Sequence, residues 1–146
     1  MTLLKSLAVA GLAAVLSAGA ARAEDWRLLR EETAFTVGLD VDSPAGPPTR
    51  RTATTVMVAK EAGTPFAWLK INLFVNCEAR TVTALSAFAY GRDGALLQGG
   101  DIPEEASPIS EEDGTEGLRR ALCDGRPPAG ERYPSIDAFR ASVAAS

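Results

Sequence analysis

Cys77 and Cys123 are the side chains whose type and number define a chemistry most narrowly in this chain of 146 residues. An even cysteine count in an exported protein reads as a disulfide framework, and two cysteines permit a single pairing. The bond would close a loop spanning 46 positions. Chain-entropy arithmetic gives such a loop about 4 kcal/mol, an upper-end figure because folded-state strain subtracts from it. That is comparable with the net stability of many small domains. The alternative use of two thiols is redox or metal chemistry. No Cys-x-x-Cys spacing is present, and two thiolates fall short of the four ligands a structural zinc takes. The pair is read as structural.

Histidine is absent. That removes the commonest general base and the usual zinc ligand, and no Ser-His-Asp or Cys-His arrangement can be built. Two carboxylates suffice for glycoside hydrolysis, so an acidic pair is the one catalytic device left open. The acidic residues sit in turns and before a helix, where they solvate loops or complement the helix dipole. Gly91-Arg92-Asp93-Gly94 is a turn and not a phosphate loop, because no βαβ unit surrounds it. The expectation is a non-enzyme with no catalytic residues, no metal site and no cofactor. No ligand-binding residue is specified.

Residues 1–23 have the layout of a secretory signal peptide. Lys5 supplies the positive start, Leu7 to Leu16 an apolar run, and Ala21-Arg22-Ala23 a small-x-small site. Cleavage between Ala23 and Glu24 is expected, placing the product in the periplasm or outside the cell. The alternative, a permanent anchor, needs roughly 20 apolar residues, and this run is too short. No cysteine lies in or just after the segment, so no lipid-modified N-terminus is expected. No later stretch reads as a membrane span.

Loss of Lys5 and Arg22 with the signal leaves 13 basic against 19 acidic side chains, a formal charge of −6. An acidic chain with no basic stripe argues against nucleic acid and against docking on anionic lipid. The pairs Arg50-Arg51 and Arg119-Arg120 read as solvated surface. The expected partner is a protein of unspecified identity.

The remaining residues are those of one domain. The divisions expected are a signal at 1–23, a β-rich domain at 24–125, and a linker with a short helix at 126–146. A short strand is expected at Trp26 to Leu29. In the next stretch Phe35, Val37, Leu39 and Val41 alternate with polar or small residues, as in a half-buried strand. Thr52 to Ala59 is a second β-run. In Phe66 to Cys77, Leu69, Ile71, Leu73, Val75 and Cys77 share one face, while Lys70, Asn72 and Asn76 share the other with Trp68 and Phe74. Those two aromatics are read as partly buried, the alternative being an exposed patch for a ligand. Thr81 to Tyr90 alternates imperfectly. Asp93-Gly94 then signals a hairpin into Ala95 to Gln98. Connections this short make the sheet antiparallel.

Ser110 is a candidate N-cap followed by Glu111, Glu112 and Asp113, with Leu118, Ala121 and Leu122 as the apolar stripe and Gly125 as the stop. Gly114 and Gly117 weaken this helix and allow a later start near Thr115. Ser135 to Ala144 presents Ile136, Phe139 and Val143 on one side; a docked helix and a frayed tail are both open. The fold class expected is α+β: a mainly antiparallel sheet with a C-terminal helix tethered by one disulfide.

In this order the residues resemble the bacterial surface-adhesin protein E family. The correspondence begins at Trp26 and continues through Leu39-Asp40-Val41-Asp42-Ser43 and Thr55-Val56-Met57-Val58. Val75-Asn76-Cys77-Glu78-Ala79-Arg80 matches a strand ending in cysteine with an arginine three residues on. Leu85 to Tyr90 with Gly91 and Gly94, then Pro108-Ile109-Ser110 and Leu118 to Cys123, complete it. The resemblance spans Trp26 to Cys123, and order and cysteine placement carry it. It implies a small exported β-rich domain with one disulfide that binds extracellular or host proteins without catalysis. A periplasmic structural or regulatory protein, such as an inhibitor or envelope-complex subunit, is the second reading.

Overall fold

The computed structural model describes residues 23–144; of the expected signal at 1–23, residues 1–22 lie outside them. Among the described residues the strands are Trp26–Glu31 (β1), Phe35–Asp40 (β2), Arg51–Ala59 (β3), Trp68–Asn76 (β4), Thr81–Tyr90 (β5), Leu96–Asp101 (β6) and Ser107–Pro108 (β7). Two helices follow, Thr115–Cys123 (α1) and Ile136–Ala144 (α2). β1 to β6 lie side by side in chain order, every pair antiparallel, and β7 returns to pair with the start of β5. The fold is α+β. β7 has no counterpart in the sequence reading, because two residues with a proline carry no strand signal.

The sheet carries one helix on each face. Side chains alternate across a strand, and in β3 Ala53 packs with Leu39, Leu73, Val75, Leu118 and Leu122. Val56 and Val58 point the other way, into a cluster with Trp26, Trp68 and Phe139. Thus α1 covers one face and α2 the other. The imperfect alternation of β5 is a bulge: Ser86 pairs with Asn72 and Ala84 with Leu73, so Leu85 is the extra residue. Val82 and Ala84 therefore face α1's side, and Phe88 and Tyr90 face α2's.

Ser110 does not cap α1. Its hydroxyl bonds the Asp113 carboxylate within a turn, leaving Glu111, Glu112 and Asp113 outside the helix. The helix takes the later start, after Gly114 at φ 73°. The positive φ favours glycine there, and the mobile end of the Arg30 side chain fills the space a β-carbon would take.

The C-terminal helix docks. Phe139 is 1% exposed and lies over Gly38 between Trp26 and Tyr133. The first residues after the expected cleavage point hold this helix in place. The Glu24 carboxylate accepts the Trp26 indole N–H at 2.6 Å and the Ile136 amide, at the start of α2, at 3.2 Å. Asp25, 3% exposed, accepts two bonds from Arg27, at 3.0 and 2.9 Å, and meets Arg132 at 2.9 Å.

The Arg27 hydrogen bonds, with Arg132, hold the Asp25 carboxyl below the ordinary aspartate range despite burial. A folded-state value below the unfolded one stabilises the fold at pH above the unfolded value, and that contribution is lost as pH falls. Burial raises Asp40 instead, and its effect runs the opposite way. Asp25→Asn should therefore be less stable than the parent at neutral pH, with the difference shrinking below about pH 4. Urea midpoints across a pH series check this; a constant difference down to strong acid contradicts it.

Candidate functional site

The helix on the first face is too short to cover it. Nine residues of α1 extend about 14 Å, whereas strands of nine and ten residues, β4 and β5, run about 30 Å. The disulfide fixes which half is covered. Cys77, just past β4, bonds Cys123, the last residue of α1, with Cα atoms 5.7 Å apart. Arg51 donates to the Leu122 carbonyl, and Arg80 pairs with Glu116 at 3.0 Å. Arg80 adopts φ 53° in the turn after Cys77, and its carbonyl accepts the Ile109 amide. These ties hold α1 over Leu39, Ala53, Leu73 and Val75.

The rest of that face stays half-open. Val37, Met57, Leu69, Ile71, Ala87 and Ala89 are each neither buried nor fully exposed. Three clefts cross the face. One of about 300 Å³ lies beside the start of α1, between Phe35, Val37, Met57 and Leu118. A second, about 330 Å³, shares Leu73 and Val82 with it and reaches Ile102. A third, about 380 Å³, shares Ile102 and runs over Leu69, Ala87 and Ala89 to Gly100. Together they form a trough from β2 to the β6 edge, apolar beside α1 and mixed in character toward β6, bordered by Asp113 at one end and Asp101 and Glu105 at the other. Its lining can exclude water from an apolar partner; no pair of carboxylates converges in any of these three clefts.

The opposite face is closed over its aromatics. Trp68 is 7% exposed, stacked on Tyr90 at 3.9 Å and covered by the Arg140 guanidinium of α2 at 4.5 Å. Phe74 is half-buried beneath Arg50 at 4.2 Å. The exposed-patch alternative for these residues therefore falls. Between them Thr54 donates to Asn72 and Asn72 to Ser86, each at 3.0 Å, which satisfies a polar stripe inside the sheet.

Of the residues singled out by sequence, Cys77 and Cys123 are brought together, and Ala23 and Glu24 lie exposed at the start of the described residues. The trough has no local signature in the sequence. Of its lining, Phe35, Val37, Leu69 and Leu73 read as inward faces of strands, and nothing local to them shows that no helix reaches them. Among the described residues no helix is long and apolar enough to cross a membrane, and no cluster of His, Cys, Asp or Glu is arranged to hold a metal. Comparison with known proteins returns no match from any family model, curated sequence or solved structure.

Proposed function

We propose that this chain is an exported, non-catalytic binding domain, as its resemblance to the surface-adhesin protein E family implies, with extracellular or host proteins as its partners. The half-open apolar trough beside α1 carries the reading. Contiguous apolar surface of this kind, rimmed by polar residues, marks interaction sites more often than ordinary monomer surface. The disulfide supports export, since such bonds persist in oxidising compartments.

Surface plasmon resonance of the processed protein against purified matrix and serum proteins tests this reading. Saturable binding to at least one is expected. Met57→Lys and Leu69→Glu, both at half-open positions, should weaken it by about tenfold or more while the thermal midpoint stays within a few degrees. Silence across the panel removes the adhesion reading. Binding indifferent to both substitutions removes the trough as its site.

A further inference from the structure

The fold ties down the start of one sheet edge with its C-terminal segment and leaves the opposite edge untied. At the β1 edge, Trp26 and Tyr133 exchange backbone hydrogen bonds at 3.0 and 2.9 Å, and Arg27 donates to the Pro128 carbonyl. At the other edge, β6 ends the strand order, and among the described residues no strand pairs with its outer side. The Ile102 amide donates inward to the Leu85 carbonyl at 2.8 Å. Backbone groups alternate in direction along a strand, so Gly99 and Asp101 turn their N–H and C=O outward. Proteins commonly guard such an edge with lysine, proline or a bulge. β6 contains neither residue. Its bulge lies at the Leu97 end, leaving Gln98 to Asp101 in regular register. Leu96 and Leu97 beside it are 56% and 55% exposed.

We propose that this edge takes up an extended, basic segment of a protein partner as an additional strand, a proposal that rests on the reading of the chain as a protein-binding domain. Outward backbone groups select an extended segment over a helix. Charge selects its composition. Arg92 and Asp93 precede this strand in the chain, Asp101 ends it and Glu104 and Glu105 follow, and Arg50 pairs with Glu104 at 2.9 Å. Neither Asp101 nor Glu105 has an ion-pair partner among the described residues. A second copy of this acidic chain would set carboxylates against carboxylates, whereas lysine or arginine on an incoming strand complements them.

Fluorescence anisotropy of a short labelled peptide alternating lysine and valine, titrated with the processed protein, tests the assignment. Saturable binding is expected, lost when a proline interrupts the peptide and absent when glutamate replaces lysine. Leu97→Lys should remove it, and Asp101→Lys with Glu105→Lys should weaken it by about tenfold. These are exposed side chains, and unchanged thermal midpoints confirm that the variants fold. No saturable binding, or equal binding of the proline-interrupted peptide, overturns the proposal. So does a dimer in sedimentation velocity that Leu97→Lys dissociates, which would assign the edge to a second copy. Saturable binding of a matrix or serum protein together with no binding of the lysine–valine peptide sinks the edge and leaves the binding-domain reading standing.

Discussion

Replacing Cys77 and Cys123 together with serine is expected to lower unfolding stability by about 4 kcal/mol and the thermal midpoint by roughly 10–20 °C. The bond spans a sequence separation of 46, so its loss returns a large conformational freedom to the unfolded chain. The folded state also loses the strap between β4 and α1. Leu118 and Leu122, 4% and 3% exposed, still anchor the helix through apolar burial, so the variant should remain folded in the cold. Urea titration of parent and variant, each with and without reductant, reads the effect. The parent should move to the variant's midpoint when reduced. Coincident midpoints before reduction, or two free thiols in the untreated parent, would contradict the closed bond.

The second large effect is expected at Phe139. Truncation to alanine should cost about 3–5 kcal/mol, the range for emptying a buried aromatic site. Phe139 is 1% exposed, 6.5 Å from the Trp26 ring centroid and edge-on to Tyr133 at 5.5 Å. Its removal opens a cavity against Gly38 that rigid strands cannot collapse. An independent variant probes the same packing from below. A β-carbon at Gly38 would stand 2.7 Å from the Phe139 ring, so Gly38→Ala should push α2 outward at about 1–3 kcal/mol. Trp26 emission should shift to the red in both variants as water reaches the indole. A midpoint within the error of the parent in both would mean that α2 is not docked in solution.

The legible part of this fold follows its local periodicities. The alternation of Leu69, Ile71, Leu73 and Val75 located β4 and its two faces, and Asp93-Gly94 located the turn before β6. Legibility failed where a local pattern had two outcomes. In β5 the shift of phase at Leu85 looked like imperfect alternation, because a bulge leaves no composition signal. Ser110 had the chemistry of a cap, yet the turn closed by Ser110 and Asp113 came first and the helix waited for Thr115. For Ile136 to Ala144 an apolar side was visible, but its destination was not. Docking depended on Gly38, about a hundred residues earlier, leaving room for the Phe139 ring.

By itself the sequence determined where the chain extends, which residues of β2 and of β4 share a face, and which cysteine each sulfur meets. The first two follow from strand geometry, whose period of two needs no neighbour, and the third from there being a single pairing to make. Only the tertiary structure decided that α1 and α2 lie on opposite faces, that one of them falls short of its sheet, and that the C-terminal segment ties the start of one edge while the other edge stays open. Those outcomes compare the lengths and placements of elements far apart in the chain, and no local pattern carries that comparison.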